Sequence, residues 1–116
     1  MANKKDLTLD VGATFRLPIQ WQQSDGTPYD LTGWTAKMQI RASYADDTVL
    51  VEASSANGRI DLTDAATGWL VVTIAADITT TLSGSGVYDI ELTNPADGFV
   101  KRLLQGRMQF SPEVTR

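Results

Sequence analysis

Trp34-Thr35-Ala36-Lys37-Met38-Gln39-Ile40-Arg41 alternates apolar and polar side chains without a break. Successive side chains of a strand point to opposite faces, so this period of two predicts a half-buried β-strand. Trp34, Ala36, Met38 and Ile40 form its inward face, and Thr35, Lys37, Gln39 and Arg41 its outward face. Residues 14–22 repeat the pattern, with Phe15, Leu17, Ile19 and Trp21 set against Thr14, Arg16, Pro18 and Gln20. Pro18 cannot donate a ladder hydrogen bond, so that strand is expected at a sheet edge or with a bulge. Residues 87–93 give a third alternation, with Tyr88, Ile90 and Leu92 inward and Asp89 and Glu91 outward.

Shorter strands are expected at residues 6–10, 48–53 and 59–62, with Val11-Gly12-Ala13 as the bend after the first. Residues 69–74 are nearly continuous in apolar character, which predicts a strand covered on both faces or lying at an interface. Residues 99–110 complete the sheet, bent or bulged near Gly106. Turn residues cluster at Ser24-Asp25-Gly26-Thr27-Pro28, Asn57-Gly58, residues 64–68 and Asn94-Pro95-Ala96-Asp97-Gly98. Residues 43–47 and Ser83-Gly84-Ser85-Gly86 read as loops. Residues 76–82 read as a short helical crossover capped by Asp77, because the run Ile78-Thr79-Thr80-Thr81 disfavours a longer helix.

About seven to nine short strands, with a turn signal about every 8–12 residues, indicate an all-β, immunoglobulin-like antiparallel β-sandwich. A small barrel is the alternative. The 116 residues form one domain, 1–116, with 1–5 and 113–116 expected as flexible tails. There is no cysteine, so the core is expected to hold by packing alone, around Trp34 or Trp69. The net charge is −4 and the ten basic residues are scattered, which argues against nucleic acid as a partner. No apolar run approaches the roughly 18 residues of a helical membrane span. The start, Met1-Ala2-Asn3-Lys4-Lys5-Asp6, lacks the apolar stretch of a secretory signal.

The absence of histidine and cysteine removes the imidazole base, the thiol nucleophile and the commonest zinc ligands. Lys4, Lys5, Lys37 and Lys101 fall in an expected tail or on strand faces rather than beside a serine. The fourteen acids leave a paired-carboxylate hydrolase arithmetically open, but they read as solvated turn residues. No enzyme activity, cofactor, metal or small-molecule substrate is expected. Asp46-Asp47, Asp61 and Asp64 are too sparse for a calcium loop. Ser83–Gly86 leads into a strand rather than the helix start that holds a phosphate. Tyr29 and Tyr44, in loops, are candidate contacts because tyrosine joins apolar area to a polar tip. Lys101, Arg102, Arg107 and Arg116 place four of the ten basic residues after position 100, a set suited to meeting a neighbour's acidic surface.

Several stretches resemble small phage and prophage virion proteins: Asp10-Val11-Gly12-Ala13-Thr14-Phe15, residues 28–41 with Asp30-Leu31-Thr32-Gly33, Gly86-Val87-Tyr88-Asp89-Ile90-Glu91-Leu92, residues 100–106 and residues 110–116. The likeness is to the immunoglobulin-like N-terminal module of phage baseplate upper proteins. It implies a virion structural protein, made in the host cytoplasm and carried in a tail, baseplate or head as an accessory or adaptor. Its partners would be other virion proteins or copies of itself, without nucleic acid or membrane. Its motifs are structural, a turn feeding a strand and a core strand, and imply no catalytic residue. The chain stops after one domain, so receptor binding is not expected of it. The expected assembly contacts are Pro18, Tyr29, Tyr44, Pro95, Lys101, Arg102 and Arg107. The alternative is a carbohydrate-binding β-sandwich module at a cell surface.

Overall fold

A computed structural model describes residues 3–114. The three alternating stretches become β3 (Phe15–Gln20), β4 (Thr35–Arg41) and β8 (Ser85–Asn94). Around them lie β1 (Asn3–Lys4), β2 (Leu7–Asp10), β5 (Val51–Ser54), β6 (Ile60–Asp61), β7 (Trp69–Ile74) and β9 (Phe99–Ser111). A 3-10 turn (Ala65–Thr67) precedes β7, and a single helical turn, α1 (Ala76–Thr79), follows it.

One sheet has six strands: β9, β8, β4 and β5 pair antiparallel in that order, and β1 and β2 follow one another in parallel along the outer side of β9. The other sheet is β3-β7-β6, all antiparallel. The two bury one core between them, with Met38, Ile40, Tyr88, Ile90, Leu92, Met108 and Phe110 from the first and Leu70, Val72 and Ile74 from the second. This is an immunoglobulin-like β-sandwich. Pro18 does lie on an edge, since β3 pairs with β7 alone.

Residues 3–5, expected as tail, instead extend the large sheet. The cause is a side chain from the far end of the chain. The buried Tyr88 hydroxyl donates to the Lys5 carbonyl at 2.6 Å, and the Lys5 N–H donates to Gln105 at 2.8 Å. Turning the Lys5 carbonyl towards Tyr88 interrupts the ladder between β1 and β2. Asp6 repairs the gap, its Oδ1 accepting the Arg107 N–H at 3.0 Å. Gly106, directly opposite Tyr88, makes room for this arrangement: a Cβ there would collide with the Lys5 carbonyl. The bulge expected at Gly106 lies instead at Leu103. The register steps from Ile90↔Leu104 to Glu91↔Arg102, leaving the buried Leu103 unopposed.

Other expectations are corrected by local bonding. No tryptophan anchors the core: Trp34 is half-buried and Trp69 is 38% exposed, while Tyr88 and Phe110 are the largest fully buried side chains. β7 is covered on one face, Leu70, Val72 and Ile74 being buried while Trp69 and Thr73 point outward. β5 starts at Val51 rather than 48, because Asp46 Oδ1 accepts the Thr48 N–H at 2.9 Å and keeps that segment in a turn. The cap position of α1 is Ala75, not Asp77. Buried Thr79 fixes the helical turn instead, donating to the Ala13 carbonyl at 2.8 Å and accepting the Gly12 N–H at 3.1 Å. At the other terminus Glu113 is half-buried, its carboxylate filling the space a Cβ on Gly12 would need.

Gly106→Ala should destabilise the fold by about 1–3 kcal/mol, read as a Tm several degrees lower, because the added methyl meets backbone. Burial, with the Asp6 carboxylate and Tyr44 nearby, pushes the Tyr88 phenol from 10.0 up to about 12. A raised phenol pKa means that the folded state holds its proton more tightly than the unfolded chain. The associated stability is complete below pH 10 and is lost as pH rises towards 12. Tyr88→Phe should cost about 1 kcal/mol at neutral pH and flatten that alkaline loss in denaturation curves.

Candidate functional site

Beyond β3 the chain does not leave the sheet at once. The Trp21 N–H donates to the Gly68 carbonyl at 2.9 Å, and Gln22 pairs with Pro28 in an isolated antiparallel bridge. The Gln23 N–H reaches the Thr27 carbonyl at 2.7 Å, and the Tyr29 N–H reaches the Trp21 carbonyl at 3.0 Å. The excursion between them is a small hairpin that sets Trp21 beside Tyr29. Their rings stack at 3.9 Å with planes 20° apart. Gly68 permits this approach: at φ 79° a side chain is strained, and a Cβ would lie 2.6 Å from the Trp21 carbonyl. Leu31, fully buried, pins the next part of the connection, its N–H bonded to Ala65 at 2.8 Å.

The ring row continues from there. Trp34 meets Trp21 edge-on at 5.8 Å, and Phe99 meets Trp34 edge-on at 6.1 Å. The Lys101 ammonium stands over the Trp21 ring at 5.9 Å. Phe99 and its neighbour Val100 are 53% and 54% exposed. Three half-buried rings thus support an exposed fourth at the turn end of the β8–β9 hairpin. Edge-to-face and offset-stacked geometries are the favourable ones for aromatic pairs, each worth roughly 0.5–1.5 kcal/mol beyond area burial.

The connections at this end of the sandwich, 22–34, 62–68 and 95–98, carry Asp25, Asp30, Asp64 and Asp97 and no lysine or arginine. Most of these carboxylates hold their own turns. Asp25 Oδ1 accepts the Thr27 N–H at 3.0 Å and its hydroxyl at 2.6 Å; Asp30 does the same with Thr32 at 3.0 and 2.5 Å. Asp61, just below, repeats the arrangement with Thr63 at 2.8 and 2.5 Å. The threonine hydroxyl, followed by the threonine N–H, holds each of these three carboxyls below its ordinary range. Asp97 Oδ1 accepts the Phe99 N–H at 2.9 Å and so sets the exposed ring's backbone. Asp46 and Asp61, weighed as calcium ligands, serve as turn acceptors, and no group of three or more acidic side chains converges among the described residues.

The structure distributes the expected contact residues over several surfaces. Tyr29 and Lys101 join the ring row, and Pro95 sits exposed on the hairpin that carries Phe99. Pro18 lies along the edge of β3. Tyr44, 72% exposed, stands at the opposite end of β4 over a hollow of about 210 Å³ lined by Gln39, Arg41 and Asp89. The basic set does not form one patch. Arg102 pairs with Glu91 across the ladder and reaches Asp89 and Glu91 at 3.7 and 3.6 Å, on the outer face of the six-stranded sheet. Lys101, its neighbour in sequence, points the other way because strand side chains alternate. Burial first and then Glu91 push Asp89 upward, opposed by Arg102 and Arg41. Arg107 is exposed, and Arg116 lies outside the described residues. Phe99 and Val100 were not among the expected contacts. Their signal was positional: two apolar residues directly after the hairpin glycine, at a strand end where no opposing layer reaches them.

No family model matches the chain, and no curated protein matches it. Among solved structures it resembles Tim-1, with 16% identity over all of this chain and 99% of that one, at a TM-score of 0.50. It also resembles a chain of the crystal structure of ICOS in complex with ICOS-L and an anti ICOS-L VNAR domain, with 12% identity and a TM-score of 0.54. That match takes in 97% of this chain and 56% of the other, so the chain spans little more than half its length. Identities this low establish the immunoglobulin-like fold and nothing finer.

Thr27→Val and Thr32→Val should each return the paired Asp25 or Asp30 carboxyl towards its ordinary range in an NMR titration. A lowered carboxyl pKa supports the fold above the unfolded value and withdraws that support as pH falls through the folded one. The double variant should therefore show a flatter acid limb of stability than the parent.

Proposed function

We propose that the chain is a non-catalytic binding module that docks onto another protein through its aromatic end. Following the likeness of its sequence to phage virion proteins, we assign that docking to the assembly of a tail, baseplate or head. The observation carrying the first part is the exposed Phe99–Val100 pair seated on three interlocked rings. Aromatic side chains held rigidly by neighbours lose little entropy on binding, and such anchors dominate protein interfaces. The carboxylates of Asp25, Asp30 and Asp97 belong to the connections around this apolar centre and favour a partner with lysine or arginine at its periphery. The sequence has no histidine and no cysteine, in keeping with work done by contact rather than by chemistry. The carbohydrate reading has less support. A sugar platform needs an open ring face, whereas Trp21 is already stacked on Tyr29 and faced by Lys101.

Phe99→Asp should leave the Tm within a few degrees, as substitutions at exposed positions usually do. It should lower incorporation at least about tenfold, the loss of one interface anchor. The measurement is quantitative mass spectrometry of particles purified from a host carrying the gene, with the parent and variant chains compared. Absence of the parent chain from particles overturns the virion assignment. Equal incorporation of the variant overturns the aromatic end as the docking surface.

A further inference from the structure

We propose a second binding surface: the lysine-lined cleft beside β3 takes an extended acidic segment of a partner as an added strand on Gln20 and Gln22. Because the N-terminal strands pair with β9, no strand among the described residues covers the outer edge of β3. An open cleft of about 520 Å³ runs between that edge and β1. Lys4, Lys5 and Lys101 line it together with Ile19, Trp21 and Leu104, and no aspartate or glutamate does. In a chain of net charge −4 this gathers three of the ten cations on one groove. Among the described residues the ion pairs involve Lys37 and Arg102, and these three lysines have none.

The backbone supplies the second half of the site. Trp21 turns its N–H and carbonyl towards Gly68 and Tyr29, on the β7 side. Hydrogen-bonding direction alternates along an antiparallel strand, so Gln20 and Gln22 direct their N–H and carbonyl groups to the open edge. Pro18 shares their phase but offers a carbonyl only. It therefore closes the edge to a long added strand, and the usable groups begin where the lysines begin. Main-chain bonds to such an edge give affinity, and alternate side-chain contacts give specificity. Alternating carboxylates and small apolar residues match the lysines and the Ile19–Trp21–Leu104 floor. This surface shares Trp21 and Lys101 with the aromatic end but excludes Phe99 and Pro95, so a Phe99 variant tests the two separately.

The test uses the full chain and a capped octapeptide of alternating Glu and Val, read by amide NMR shifts and Trp fluorescence. The acidic peptide should shift Gln20, Trp21 and Gln22 and weaken severalfold as salt rises from about 50 to 300 mM. The Lys-Val counterpart should bind at least about tenfold more weakly, and Lys4→Glu with Lys101→Glu should reverse the preference. Phe99→Asp should leave the binding unchanged. No shift with the acidic peptide, equal binding of both peptides, or shifts confined to β5 or β6 would overturn the site. Undiminished binding by a backbone N-methylated acidic peptide would overturn the added strand.

Discussion

The Tyr88 hydroxyl, reaching the Lys5 carbonyl over the bare backbone of Gly106, decides how this sandwich is closed. A phenol at the centre of a buried sheet needs an acceptor, and an unpartnered one costs roughly 1–3 kcal/mol. The acceptor here belongs to the N-terminal strand, so the hydroxyl's requirement binds β1 and β2 to β9. Asp6 then serves the Arg107 N–H through its side-chain carboxylate. No buried side-chain polar atom among the described residues lacks a partner. The wider consequence is topological. With the first strands committed to the six-stranded sheet, no strand among the described residues lies against the outer edge of β3.

The same economy governs the loop end. Without disulfides, the long connection between β3 and β4 is held by the Gln22–Pro28 bridge, the buried Leu31 and two Asp–Thr turns. Each carboxylate there is used locally, and the threonine donors keep it ionised to lower pH. The loops are thereby both rigid and anionic, the two properties that favour a preformed, charge-selective docking surface. Gly68 and Leu31 do for this end what Gly106 does for the other. Each allows or forces a backbone approach that side chains elsewhere exploit.

Alternation made β3, β4 and β8 legible, and the proline rule placed β3 on an edge. Those inferences depend on neighbours one or two residues away. The errors arise where a distant segment intervenes. Gly106 looked like a bulge because glycine inside a strand signals either a bulge or a close approach, and Lys5, the partner that distinguishes them, is 101 positions earlier. Trp34 follows its strand's inward phase, yet it precedes the first ladder residue, where inward means the mouth of the sandwich rather than its core. The basic C-terminal set looked like one patch because its members are close in sequence. Alternation, correctly applied, sends Lys101 and Arg102 to opposite faces. The ring row was illegible for a different reason: the turn at 24–28 was readable, but the 22↔28 pairing beyond it, which sets Trp21 beside Tyr29, packs against Gly68, some forty positions away.

Charge is partitioned by structural role. All basic residues among those described lie in strands, beside them at Lys5, or next to one at Arg59, whereas the connections at the aromatic end hold only acids. The two proposed surfaces therefore have opposite sign, although they share Trp21 and Lys101. Coupling between them would run through that pair. A carboxylate arriving in the cleft would draw the Lys101 ammonium from the ring, at the expense of a partly exposed cation–π contact worth about 0.5–1 kcal/mol. That loss is below the 1.4 kcal/mol of a tenfold change in affinity. The Trp21–Tyr29 stack and the Phe99 contact do not involve the ammonium and would persist. On these magnitudes the cleft and the aromatic end act nearly independently, and one small domain can hold two partners of opposite charge at adjacent sites.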